Sequence, residues 1–259
     1  MAGTDTTKTY SSTPGPVIIL VEPQLGENIG MAARAMLNCG LLELRLVKPR
    51  DGWPSDKALA AASGADAVIK NAVVFDTTSD AIADLERVFA TTARPRDMTC
   101  RVITPTGAAK EIQDFTGAGG QGDNKAGILF GREAKGLKND DLSLSDALIM
   151  IPVNPAFSSL NLAQAVFAVG HEWFRLSDDT PESELAMPKA TRPAEKAELE
   201  GLFEHLEGEL DEAGFFHVTE MRPGKVRNLR NMFQRAGLTE QEVRTLRGVV
   251  TSLATKRKK

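Results

Sequence analysis

IPVNPAFSSLNLAQAV, residues 151–166, joins three kinds of chain in sixteen positions. The apolar run Ala147–Ile151 that leads into it reads as a buried strand. Pro152 and Pro155 end that strand, because proline has no N–H to donate to a ladder. Asn154, Ser158 and Ser159 make a polar turn, and the apolar spacing beyond it predicts a helix over Leu162–Leu176, capped near Ser159 or Asn161. Strand, rigid turn and helix N-terminus together present backbone N–H groups above a strand end, which is the outline of a small-molecule site. An ordinary strand-to-helix connection in an α/β domain has the same turn chemistry.

Upstream, apolar runs alternate with amphipathic ones. Val17–Val21, Leu44–Val47, Val73–Phe75, Val88–Thr92 and Gly127–Phe130 are five further strands, the first a β-branched run expected to be covered on both faces. Helices are predicted over Asn28–Asn38, Ser55–Ala62 and Ala108–Phe115, with another capped by Ser79. Repeated β-α-β units imply an α/β domain with a mostly parallel sheet and helices on both faces. That domain spans 17–176, after a Ser/Thr/Gly/Pro-rich stretch, 1–16, that reads as disordered. Residues 177–193, with Pro181, Pro188 and Pro193, read as a linker, and residues 194–259 as an all-α extension. In that extension Leu199, Leu202, Phe203, Leu206 and Leu210 give the first helix an apolar face. A three-helix module of this size is expected to pack on the main domain or on a second subunit.

Composition excludes several classes. The chain has 259 residues, 42% hydrophobic and 25% charged, the balance of a soluble globular protein. No run approaches the roughly 18 apolar residues of a membrane span. The opening MAGTDTTKTYSSTPGP has no basic-then-apolar signal pattern, so a cytoplasmic protein without membrane contact is expected. Cys39 and Cys100 form no C-x-x-C pair, so no metal site is expected and inert thiols are. Residues 221–259 hold eleven Lys and Arg against two acids, a net +9 in a chain of −4, which leaves −13 on residues 1–220. A basic end on an acidic body predicts that phosphate contacts concentrate there. Residues 117–122 match G-x-G-x-x-G, but a polar helix precedes and a strand follows, the reverse of the dinucleotide fingerprint; they read as a flexible link.

Three constellations stand at predicted strand ends, where open α/β sheets place ligands. In N28-I-G-M-A-A-R34, Asn28 can cap a helix, Gly30 allows close approach, and Arg34 is the one large polar group among alanines. A guanidinium grips phosphate oxygens through paired hydrogen bonds, which suits an RNA backbone. In L129-F-G-R-E-A-K-G-L137, Gly131 after a buried strand permits a positive φ or a ligand against bare backbone, and Arg132 with Glu133 would organise the loop. The third is the opening stretch with Ser158, Ser159, Leu160, Asn161 and Gln164. A nucleophilic serine needs a histidine base. None of His171, His205 and His217 falls at a strand end, so hydrolase chemistry is not expected.

N-x-G-x-x-A-R, F-G-R-E-x-x-G-L and I-P-x-x-x-x-x-S-L-N-L-A-Q-A-V, in this order, resemble the motifs of the SPOUT superfamily of RNA methyltransferases, specifically its TrmH-like 2′-O-methyltransferases. The likeness runs from Val17 to Leu176. The ARPRD loop at 93–97 and the ending MRPGKVRNLRNMFQRA narrow it to the branch, TrmJ, that acts on nucleotide 32 of the tRNA anticodon loop. The resemblance implies a SPOUT fold with a deep C-terminal trefoil knot and a homodimer. It implies S-adenosylmethionine as cofactor, contacted by Thr91, Thr92, Ala93, Gly131, Ile151, Ser158, Ser159 and Leu160. Arg34 becomes the catalytic candidate, approaching the partner subunit's methyl-donor site. Because a free guanidinium stays protonated, its expected task is to fix the adjacent phosphate and stabilise the developing alkoxide. Asn28, Arg94, Arg96, Arg222, Lys225, Arg227 and Arg230 are candidate tRNA contacts, with Glu133 and Asn161 in support. Two other readings remain: a sister enzyme acting on another tRNA position or on rRNA, and a non-catalytic RNA-binding protein.

Overall fold

The computed structural model describes residues 15–94, 99–117, 124–183 and 186–257. They fall into two compact units divided between Thr180 and Pro181. In the first, β1 (Val17–Val21), β2 (Leu44–Val47), β3 (Val73–Phe75), β4 (Arg87–Thr91), β5 (Val102–Ile103), β6 (Ala126–Phe130) and β7 (Ala147–Ile149) form one sheet in the order β3-β2-β1-β6-β4-β7-β5. Every pairing is parallel. Six of these strands follow from the apolar runs. The seventh, β5, is two residues long at a sheet edge, too short to show a period, with Val102 left 49% exposed.

The helices of this unit are α1 (Gly26–Asn38), α2 (Asp56–Ala62), α3 (Asp66–Lys70), α4 (Thr78–Ala81), α5 (Pro105–Thr116), α6 (Asn139–Leu142) and α7 (Leu162–Arg175). Several starts differ from the sequence reading. α1 begins ahead of Asn28, at a Leu25 cap with no side-chain bond, so Asn28 lies inside the helix instead of capping it. Thr77, not Ser79, caps α4, and Thr104 caps α5 with Pro105 in its first turn. α7 starts at Leu162 as read, and of its two candidate caps Asn161 serves and Ser159 does not.

Alternate residues of the strands feed two cores, as a pleat with period 2 requires. On one face Ile18, Leu20, Ile128 and Phe130 pack with Ala32, Ala33 and Met36 of α1 and Val166, Val169 and Trp173 of α7. On the other, Val17, Ile19, Leu129 and Leu148 pack with Ala81, Leu137 and Leu142. A Cβ on Gly30 would lie 2.1 Å from the Ala58 carbonyl oxygen, so this glycine serves the close packing of α1 on α2. Of the stretch expected to be disordered, 1–14 lies outside the described residues, and Pro16 is buried.

Arg45, on β2, is buried with only 6% exposure. It donates to Asp84 (2.9 Å), Glu43 (2.6 Å) and the Ala81 carbonyl (2.7 Å). The hydrogen bond from Arg45 holds the Asp84 carboxyl well below the usual carboxylate range, against a smaller opposing effect of desolvation. A depressed folded pKa contributes stability that is complete above the unfolded value, about 3.9, and is lost as pH falls toward the folded one. Asp84→Asn is expected to lower stability at neutral pH by about 2 kcal/mol. The gap in thermal midpoint between the two proteins should hold down to about pH 4 and narrow progressively below it; a gap unchanged from pH 7 to pH 2 would contradict the pairing.

In the second unit α8 (Lys196–Glu212), a 3-10 turn (Thr219–Met221), α9 (Arg222–Ala236) and α10 (Glu240–Arg257) enclose Leu199, Leu202, Phe203 and Val243. Phe233, Leu238 and Leu246 pack around them. The segment ahead of α8 pairs with the turn between α9 and α10, through Ala194 N–H to Leu238 O (2.9 Å) and Glu240 N–H to Arg192 O (2.9 Å). The unit therefore has an apolar centre of its own.

Candidate active site

Parallel pairing places the carboxyl ends of β1, β6, β4 and β7 along one edge: Leu20 pairs with Phe130, Ala90 with Leu129, and Thr91 with Ile149. The three motif loops follow these ends and meet at Asn28. Its side-chain amide donates to Glu133 Oε1 at 2.6 Å, and its oxygen accepts from Asn161 Nδ2 at 3.2 Å. Glu133 Oε2 accepts from the Gln24 N–H at 2.9 Å. Asn161 in turn caps α7 by accepting from the Ala163 N–H (2.9 Å), while its own N–H donates to Gln164 Oε1 (2.9 Å). Asn28 is 5% exposed, so each bond replaces one that water cannot supply, and losing one partner strands a buried polar group. One residue from each motif thus stitches three distant stretches together. Asn28, expected to touch substrate, spends its amide on this junction.

The loop after β6 is clamped twice. Glu22, just past β1, accepts from Arg132 (2.8 Å) and from Lys138. The Lys138 bond and the two positive charges hold its carboxyl below the usual range. Within the loop the Gly136 N–H donates to Arg132 O at 2.8 Å. Positive φ falls on Ala134 (66°) and Gly136 (67°) and not on Gly131, where the sequence reading allowed it. Gly131 is required for another reason: a Cβ there would sit 2.2 Å from Leu137 N and 2.3 Å from Gly136 C.

Along the same edge Thr91 donates to Leu129 O (3.0 Å), and the Thr92 N–H donates to Ile149 O (3.0 Å). Thr92 Oγ1 donates to Arg94 O (2.9 Å), which leaves Ala93 and Arg94 exposed. Arg96 lies outside the described residues. Ile151 is half-buried against the main core. Beyond it, Asn154 Oδ1 accepts from the Ala156 N–H (3.0 Å) and Asn154 O from the Phe157 N–H (2.9 Å). This turn presents Phe157 at 76% exposure, and an aromatic inside a polar turn was its only signal in the sequence. Ser158 and Leu160 are half-buried and Ser159 is exposed. The N–H groups of Ile151, Ser158, Ser159 and Leu160 donate to no backbone carbonyl among the described residues. Neutral backbone groups beside an apolar side chain fit an adenine and ribose better than a phosphate, so the donor set suits S-adenosylmethionine.

Arg34 projects from α1 into solvent on a stripe with Met31 and Asn38. It makes no ion pair or hydrogen bond with another described residue. The cations of the second unit are less available. Arg222 pairs with Asp211 (3.0 Å) and lies over the Phe216 ring. Arg230 pairs with Glu207 (2.6 Å) and Glu200 (2.8 Å), and Lys225 sits over Phe215, while Arg227 is exposed. No cluster of His, Cys, Asp or Glu able to hold a metal occurs among the described residues. No helix among them is long and apolar enough to cross a membrane.

These motif loops lie within residues 15–170, which match the model of the SpoU rRNA Methylase family. The chain belongs to the SpoU methylase family. Residues 197–259 match a second model, the C-terminal domain of tRNA methyltransferase TrmJ. Among solved structures, this SpoU methylase is similar to TrmJ from Z. mobilis ZM4, with a TM-score of 0.79 and 47% identity over 93% of this chain and 100% of that one. Among curated relatives, a tRNA (cytidine/uridine-2′-O-)-methyltransferase TrmJ of Sodalis glossinidius is 37% identical, covering 91% of this chain and 90% of its own length. The protein of the same name from Citrobacter koseri is 36% identical over 91% and 95%.

Proposed function

We propose that this protein transfers the methyl group of S-adenosylmethionine to a ribose 2′-OH of tRNA, at nucleotide 32 of the anticodon loop, as a homodimer in the cytoplasm. The observation that carries the reading is the Asn28–Glu133–Asn161 junction, which joins all three motif loops at the sheet edge where unpaired backbone donors lie. Relatives named as tRNA (cytidine/uridine-2′-O-)-methyltransferases, similar over nine-tenths of the chain, support the 2′-O-methylation of tRNA.

Bound S-adenosylmethionine would supply an electrophilic methyl on sulfonium. The residues at 91–93, 131, 151 and 158–160 would hold it, and the C-terminal part of the sheet domain would be threaded as a trefoil knot around it. The chain's own contribution is then alignment, which can account for much of a transfer rate. Arg34 of one subunit would reach the partner's donor site, fix the phosphate beside the target ribose and stabilise the charge that grows on O2′ as its proton leaves to phosphate or water. Arg94 and Arg96 would hold the RNA nearby.

Calorimetry with S-adenosylmethionine, and mapping of ribose methylation in tRNA from a strain lacking the gene, test the reading. Binding of the cofactor and loss of one 2′-O-methyl group are expected; no cofactor binding would leave an RNA-binding protein without catalysis. Asn161→Ala removes the α7 cap and one bond of the junction. It is expected to weaken cofactor binding roughly tenfold with little change in secondary structure, and unchanged affinity would separate the junction from the site.

A further inference from the structure

The four basic residues expected to meet tRNA in the second unit do not share one environment. On α9, Val226, Leu229, Arg230 and Phe233 are partly buried. Arg222 and Arg230, with their carboxylate partners Asp211, Glu207 and Glu200 on α8, therefore bind α9 to α8. Their charge is met within the protein. The opposite arc differs. Arg227, Asn228, Asn231, Met232, Gln234 and Arg235 are all exposed, and at 100° per residue they fall within less than half a turn of the helix. Asn228, Asn231, Met232, Gln234 and Arg235 line one shallow open groove. α9 carries no acidic residue, and neither Arg227 nor Arg235 makes an ion pair among the described residues.

We infer that this outer arc of α9 is the surface by which the second unit grips the ribose-phosphate backbone of tRNA. Arg227 and Arg235 bind phosphates at its two ends, about 12 Å apart along the helix axis, and the carboxamides of Asn228, Asn231 and Gln234 donate to phosphate and ribose oxygens along the stretch between them. Two free guanidiniums on an arc without acids are complementary to a polyanion. The carboxamides add donors and acceptors for 2′-OH groups, which distinguish RNA. Arg222 and Arg230 are structural, tying α9 in place. This inference rests on the tRNA reading above and assigns the residues that carry it.

Binding of unmodified tRNA to the full-length protein, measured across a salt series, separates the two sets. Arg227→Gln with Arg235→Gln is expected to weaken binding and to reduce the log-log salt slope by about 1.4 to 1.8, the contribution of two phosphate contacts. Arg230→Gln is expected to lower the thermal midpoint and leave the slope as in wild type. An unchanged slope in the double variant, or an equal fall in Arg230→Gln, overturns the assignment; in the first case the arc meets something other than RNA. Wild-type protein that binds no tRNA at all would instead end the functional reading on which the inference rests.

Discussion

An Arg34→Ala enzyme is expected to bind S-adenosylmethionine as wild type does and to turn over on the order of 10²–10³-fold more slowly, the usual effect of removing a donor that meets charge developing in the transition state. The cofactor affinity is spared because Arg34 is solvent-facing on α1 and holds no described residue in place. The rate is not spared, because among the described residues of the three motifs no other guanidinium is free: Arg132 is committed to Glu22, and Lys135, though exposed, lacks the planar fork. Arg34→Lys keeps the charge and loses the planar fork, so it should recover only part of the rate. Nearly full turnover in the lysine variant would contradict paired gripping of a phosphate. Mixing Arg34→Ala subunits with Asn161→Ala subunits asks where the arginine acts. In a two-fold dimer that supplies Arg34 across the interface, one site of each mixed dimer combines both intact groups and activity returns in part. Mixed dimers no more active than either parent would place Arg34 in its own subunit's site.

Gly131→Ala is expected to destabilise the sheet domain by about 2–3 kcal/mol and to abolish measurable cofactor binding. The added Cβ meets backbone atoms of Gly136 and Leu137 at 2.2–2.3 Å, and backbone cannot swing away as a side-chain tip can. The loop cannot retreat as a whole either, because Glu22 holds it through Arg132 and Lys138, and Glu133 holds it through Asn28 and Gln24. Gly208 on α8 is the internal control. An added Cβ there has nothing within 4 Å, so Gly208→Ala should raise stability by up to about 1 kcal/mol through helix propensity. Denaturant midpoints and calorimetry read both variants. An alanine at 131 that binds cofactor like wild type would show that the loop's conformation does not shape the site.

Legibility varied with the length of the signal. β1, β2, β6 and α7 were plain because runs of apolar residues at one period report burial on one or two faces. β5, α3 and α6 were not, since two to five residues span too little of a period to register. Helix starts slipped at α4 and at α1. Thr77 precedes Ser79 by two positions, and α1 starts at Gly26 on an uncapped Leu25 that no rule selects. At the site, Asn28, Glu133 and Asn161 could each be named from motifs, but not as partners, because 105 and 133 residues separate Asn28 from the other two.

By itself the chain determined its alternation of strand and helix, the parallel sheet that alternation demands, and the residue types gathered at the strand ends. Local periodicity and capping chemistry are written within a few neighbouring positions, so they need no fold to be read. Only the tertiary structure decided which polar groups are free to act. Asn28 could have faced a ligand but is consumed by Glu133 and Asn161, and Arg230 could have faced RNA but is consumed by Glu207 and Glu200. Whether a charge or an amide is available depends on what folding brings within about 3 Å of it, and that distance has no counterpart along the sequence.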